Sequence, residues 1–237
     1  SHHAMSAFTW HPDGAMYFQE GTFHHTQVET PYGPTRTHDG AVLRFDPRTW
    51  EVDVISSYPY ANPWGHTVDP WGRSMITDAS NGLSYRLIHV GGANPYPDPD
   101  KFKSPVRGRR SFTPGGRRPT AGTELLHGTH ATEEQRGRFL VTQSIGFHGV
   151  RWYELYDKDS GIFTRNLQPE LLQSTDPTCR PCDVEVGPDG AIYVLDWANP
   201  IVGHMQFNVR DERRDHTHGR VWRLTADGQA LDTPVMV

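Results

Sequence analysis

Apolar and polar residues alternate along this chain in short runs, and the runs come in pairs. Four stretches share one form: "FTWHPDGAMYF" (8–18), "HTVDPWGRSMITD" (66–78), "HATEEQRGRFLVT" (130–142) and "DVEVGPDGAIYVL" (183–195). Each is an alternating run, a Gly-centred turn and a second alternating run, which is the pattern of a β-hairpin. Pro-Asp-Gly supplies the turn in two of them. A third strand-like run follows each pair, at 41–46, 83–90, 150–156 and 220–225, and fourth runs follow at 50–56 and 161–167. The loop before each third run ends in His38, Asn81, His148 or His218, next to a Gly or one residue from it.

Repeats of roughly 40–60 residues with four strands each predict propeller blades. The expected fold is all-β: a β-propeller with about four four-stranded blades in this chain. Open faces at either end of such an array would expose apolar surface, so the expected partner is a second copy in a homo-oligomer that completes the ring. Residues 1–4, "SHHA", read as an expression scar. Residues 5–237 read as one propeller-type domain with long loop insertions at 19–40, 93–122 and 197–218. The segment 93–122 is rich in Pro, Gly and Arg, and its arginines 107, 109, 110, 117 and 118 read as a solvated charge run. Loops this long within compact repeats are usually functional.

Composition supports the strand reading. The chain of 237 residues has 23 Gly, 19 Pro, 10 Phe, 9 Tyr and 7 Trp, the vocabulary of short aromatic strands and tight turns. A net charge of -5 gives no overall attraction to nucleic acid, and no apolar run is long enough to insert into a membrane. The expected partner in binding is a small-molecule substrate. Two cysteines, Cys179 and Cys182 in "CRPC", lack the second pair a zinc ribbon needs and the βαβ setting of a redox motif. They read as two thiols or a local disulfide.

Fourteen histidines change the picture. In a propeller, the loops between second and third strands share a face with the starts of the first strands. That geometry places His38, Asn81, His148 and His218 at one mouth of the channel with His66, His130 and the stretch 180–183. Imidazoles converging there would bind zinc, with calcium or iron as alternatives for the divalent metal. His25, His66, His130 and His204 are the expected ligands. Glu29 or Asp215 would act as base, and Arg180 or Arg210 would hold developing negative charge. The first functional expectation is therefore a metal-dependent hydrolase of esters, lactones or phosphotriesters.

Longer motifs point elsewhere. "HTQVETPYGP", "NPWGHTVDPWG", "RPCDVEVGPDGAIYVLDWANPIVGHMQ" and "RDHTHGRVWRLT" resemble the propeller of the large proteins called membrane-bound dehydrogenases. Those are distantly similar to glucose/sorbosone dehydrogenases that use pyrroloquinoline quinone. The resemblance implies a quinone-dependent sugar or alcohol dehydrogenase in a periplasmic or other extracytoplasmic location. By motif it carries over His25, Glu29, His66, Arg180, Asp183, His204, Arg210, Asp215 and His218, with Asp183 and His218 on the cofactor. Full-length members of that group continue into helical repeats and a cytochrome segment with a Cys-x-x-Cys-His haem site; the resemblance here lies in the propeller part. A non-catalytic binding propeller is the third expectation.

Overall fold

The turns explain the hairpins. In the computed structural model, which describes residues 3–57, 61–80, 83–86, 112–113, 119–158, 161–202 and 210–234, the Asp13 carboxylate accepts the Ala15 N–H at 2.9 Å. The Asp189 carboxylate does the same for Ala191 at 3.1 Å. Gly14 and Gly190 follow these aspartates with φ of 82° and 79°, a left-handed backbone that costs glycine nothing. Asp-Gly therefore reverses the chain, and the flanking alternation decides which side chains face inward.

Two compact units result, Ser1–Arg117 and Arg118–Val237. In the first, β1 (Ser6–Trp10), β2 (Met16–Glu20), β5 (Ala41–Asp46) and β6 (Glu51–Ser57) form an antiparallel sheet in that order. Between β2 and β5 the chain makes a separate hairpin, β3 (His25–Thr30) and β4 (Gly33–His38). Residues 25–38 of the long insertion at 19–40 are strand and turn. A second sheet follows: β7 (Pro63–Val68), β8 (Ser74–Asp78) and β9 (Leu83–Arg86). Phe18, Ala41, Leu43 and Val52 form a core on the first sheet, with Val28 of the hairpin packed against it. The carbonyl of His3, which the sequence reading set aside as scar, accepts the Gly21 N–H at 2.9 Å.

In the second unit β10 (Thr120–Leu125), β11 (Phe139–Gln143), β12 (Gly149–Lys158) and β13 (Gly161–Asn166) form one sheet, with β14 (Leu172–Gln173) on the start of β12. A three-stranded sheet of β15 (Pro181–Val186), β16 (Ile192–Asp196) and β17 (Arg220–Leu224) completes it. Leu126, Leu140, Val150, Val184, Ile192 and Val194 are the shared core of these two sheets. All the sheets are antiparallel, and no helix occurs among the described residues. No helix among them is long and apolar enough to cross a membrane.

One expectation is corrected. The third hairpin does not use 130–138 as its first strand; that stretch is turn and loop, and β10 at 120–125 takes the role. The strand escapes an apolar-alternation reading because it is "TAGTEL", chosen for smallness. A Cβ on Gly122 would come within 1.9 Å of the Asp183 carboxylate on β15, so two strands meet there with no room for a side chain. Arginines 107, 109, 110, 117 and 118 lie outside the described residues, as do Asn81 and His204.

Candidate functional site

The correction moves a histidine. With β10 as first strand, His130 belongs to the connection from β10 to β11 and sits beside the β15–β16 turn. A Cβ on Gly190 of that turn would come 2.5 Å from the His130 Cβ. Arg180 precedes β15 at the other end, where Pro181 pairs with Asp196. Six residues of extended strand separate the two ends, roughly 20 Å at 3.3 Å per residue. His130 and Arg180 therefore do not share a rim.

His130 is also fully occupied. The ring is buried, its Nδ1 donates to the Ala230 carbonyl at 2.9 Å, and its Nε2 accepts the Ala226 N–H at 2.9 Å. This fixes one neutral tautomer and leaves no lone pair for a cation. The ring instead fastens residues 226–230 to the unit. It also lines an apolar cavity of about 180 Å³ walled by Leu126, Trp152, Ile192 and Leu224.

At the Arg180 end the chemistry is polar and deeply buried. Asp196, the last residue of β16, is the hub. Its carboxylate accepts the Arg180 backbone N–H at 2.7 Å, the Ala198 N–H at 2.8 Å and the Trp222 indole N–H at 3.0 Å. The Arg220 guanidinium pairs with it at 2.7 Å and with Asp176 as well. Burial works against the Asp196 charge, but these donors hold its carboxyl below the usual range. Asp176 is held at about 2, chiefly by the Arg220 hydrogen bond. The Cys179 thiol beside them is pushed up to about 11, by burial first and then by the Asp196 charge, so it stays a thiol. Cys179 and Cys182 are both free.

The Arg180 side chain is buried, and its hydrogen-bond acceptors are neutral: the Ser144 carbonyl at 3.1 Å, the Cys179 carbonyl at 3.4 Å and the His148 ring at 2.6 Å. Its Nε has no acceptor among the described residues. Burial, the largest influence on it, lowers the guanidinium pKa. His148 stands next to Gly149 at the start of β12 with φ of 57°. Its Nδ1 faces two neighbours with opposite demands. The Cys179 carbonyl at 2.9 Å needs a hydrogen on Nδ1, whereas Arg180 Nη1 needs a lone pair there. Only one demand is met at a time, and Nε2 takes the complementary state.

The remaining expected site residues are placed as follows. Asp215 and His218 come together: the carboxylate and Nδ1 are 2.8 Å apart on an exposed turn. The Asp215 carboxyl lies well below the usual range, held first by the Thr217 backbone N–H and then by the His218 ring. Arg210 is exposed in the same connection. Asp183 caps the Val184 N–H at 3.0 Å and is raised, by burial foremost. Two residues further along β15, Glu185 is pushed up to about 8, by burial and then by its hydrogen bond with Glu124. The residue as a whole is nevertheless exposed. In the first unit His66 is buried in β7 with its ring edge-on to Tyr17. His25 and Glu29 lie on the exposed face of the β3–β4 hairpin, where Glu29 accepts from the Gln27 amide. Among the described residues no group of three or more His, Cys, Asp or Glu is disposed to hold a metal. His25, His66 and His130 belong to no such group among the described residues, and His204 lies outside them.

Asp196 was not singled out in the sequence and is a strand-end hub. His38 and His148 were placed at the channel mouth by their shared position before a third strand, without an individual role among the expected site residues.

Comparison with known proteins adds the fold. The model of a domain of unknown function, DUF7133, matches residues 1–228. No curated protein sequence is significantly similar. Among solved structures, an oxidoreductase assigned as a glucose dehydrogenase from Thermus thermophilus aligns over 81% of this chain and 58% of its own, with a TM-score of 0.52 and 18% identity. The soluble aldose sugar dehydrogenase of Escherichia coli, in its apo form, aligns over 91% and 62%, with a TM-score of 0.52 and 14% identity. A luciferin-regenerating enzyme aligns over 99% and 64%, with a TM-score of 0.50 and 15% identity. The chain spans about three-fifths of the length of these proteins, and the likeness is one of fold, to β-propeller enzymes.

Proposed function

The chain belongs to the DUF7133 family, and from that premise we propose a propeller that binds a carboxylate-bearing quinone and oxidises a sugar or alcohol. The observation that carries this reading is the Arg180 guanidinium: buried, hydrogen-bonded to neutral groups, with an Nε donor that has no acceptor among the described residues. An orphaned buried donor costs roughly 1–3 kcal/mol, which an anionic ligand would recover. A carboxylate of pyrroloquinoline quinone suits that donor, so the residues present fit the group. Bound there, the quinone would supply the two-electron acceptor for a substrate hydride.

The chain's own residues supply the rest. Arg180 orients the anion. An anion on the guanidinium competes with His148 for the Nη1 hydrogens. The His148 Nδ1 then carries its hydrogen toward the Cys179 carbonyl, and Nε2 becomes the proton acceptor for a substrate hydroxyl. Asp196 holds the Arg180 backbone and so sets where the side chain starts. The metal-dependent hydrolase is the weaker reading, because His130 has no lone pair to give and no three-residue ligand group is present among the described residues. The glucose and aldose sugar dehydrogenases of similar fold favour the oxidative reading.

The same reading takes each sheet of three or more strands as one blade, four in this chain, with the ring completed by a second copy; a monomer by light scattering excludes that closure. It also places the protein outside the cytoplasm.

The test is quinone binding by the purified chain with Ca²⁺ present, followed by dye reduction with aldoses and polyols. Wild type should bind and reduce dye, and Arg180→Gln should lose binding by tenfold or more. Equal binding by Arg180→Gln, or no binding by either, overturns the proposal. Ester or lactone hydrolysis that chelators abolish would favour the hydrolase.

A further inference from the structure

We infer that His25 and His38 together form a two-imidazole site for a late first-row divalent metal ion, with Cu²⁺ bound most tightly. This inference does not depend on the quinone reading. It rests on the β3–β4 hairpin alone.

The two histidines are direct cross-strand partners, His25 opposite His38. The main-chain bond from the Asp39 N–H to the His24 carbonyl, 2.8 Å, lies just outside the pair. That position makes His25 and His38 a non-hydrogen-bonded pair, the kind in which antiparallel side chains stand closest. Both residues are exposed, on the face shared with Gln27, Glu29 and Arg36. The rings meet edge to face with centroids 4.2 Å apart. Two imidazoles bound cis to one metal at about 2.0–2.1 Å per nitrogen have centroids roughly 4.5–5 Å apart, so a small rotation about the side-chain bonds brings them into place.

The opposite face of the hairpin is tied down, which holds the pair in register. Thr26 Oγ1 donates to the Glu20 carboxylate at 2.6 Å, and Thr37 Oγ1 donates to the other oxygen of the same group. Thr26 and Thr37 are themselves a cross-strand pair, next along from His25 and His38. Thr35 Oγ1 donates to the Val52 carbonyl at 2.7 Å. Glu20 is buried beneath, so the hairpin has one anchored face and one free one. Neutral imidazole is the ligand type for zinc, nickel and copper, and the Irving–Williams order places Cu²⁺ first at such a site. Two protein ligands leave open positions for water or an external ligand.

The test is titration of the full chain with Cu²⁺, Ni²⁺, Zn²⁺ and Mg²⁺ by calorimetry, with electron paramagnetic resonance on the Cu²⁺ adduct. One ion should bind per hairpin with Cu²⁺ tightest and Mg²⁺ silent, and the spectrum should carry two equivalent nitrogen donors. His25→Ala and His38→Ala should each lower Cu²⁺ affinity at least tenfold, and the double variant should lose no more than either single one, because a chelate needs both rings. His24→Ala should leave affinity unchanged. Far-ultraviolet dichroism identical to wild type excludes unfolding of these exposed-site variants. Affinity retained in His25→Ala, additive losses, or a single nitrogen in the spectrum would sink the site.

Discussion

His130 and His148 look alike in the sequence, each beside a turn in the second unit, yet they sit in opposite chemical circumstances. His130 spends both nitrogens on main chain, at 2.9 Å each, and closes an apolar cavity. His148 has one nitrogen contested between a carbonyl and a guanidinium and is half-buried. The first is a fastener. The second can change what its outer nitrogen offers. A histidine's role is therefore set by the donors and acceptors its two ring nitrogens already meet, which residue type and spacing do not reveal.

The comparison can be broken at its polar end first. Asp196→Ala removes a buried carboxylate that takes three N–H donors and an arginine, leaving Arg220 without its buried partner. Chemical denaturation should show a loss of about 3–5 kcal/mol. A loss under about 1 kcal/mol would mean the hub is solvated. At the other end, His130→Ala orphans the Ala226 N–H and the Ala230 carbonyl, and should cost about 1–3 kcal/mol with faster proteolysis after residue 225. Unchanged proteolysis would remove the fastener role.

Midway along β15 the predicted effect depends on pH. Glu185 is raised from an ordinary 4.5 to about 8, so between those values the folded chain holds a proton that the unfolded chain has released. Stability should therefore fall as pH rises from about 5 to 8 and level off above. Melting temperatures at pH 5, 7 and 9 check this, and Glu185→Gln should flatten the slope; an equal slope in the variant would assign it to another group. The smallest effect is expected at His148. Asn tolerates the left-handed backbone there, so His148→Asn should change stability by no more than about 0.5 kcal/mol while dye reduction falls. A large loss of stability would make His148 a second fastener.

Much of the fold was legible. The hairpins at 8–18, 66–78 and 183–195 were found where Asp and Gly reverse the chain, because turn chemistry acts over three or four residues and needs no distant partner. The third hairpin was missed because β10 is built of Thr, Ala and Gly. Its signal is the fit of Gly122 against Asp183, a contact 61 positions away in the chain. The candidate site was less legible. Arg180 was named from its motif, but the neutral acceptors of its buried side chain depend on Ser144 and His148, which come from the connection between β11 and β12. His25 was named as a ligand, while its partner proved to be the residue opposite it in the hairpin register.

What the sequence determined alone was the local alphabet: short antiparallel strands, Asp-Gly reversals, an all-β chain and a surplus of imidazole. Which imidazoles are spent, which buried guanidinium is hydrogen-bonded to neutral groups and which two rings face each other were decided by tertiary structure. The physical reason is range. Turns and alternation are written within a few residues, whereas hydrogen-bond satisfaction and charge pairing depend on neighbours that only the folded chain brings together.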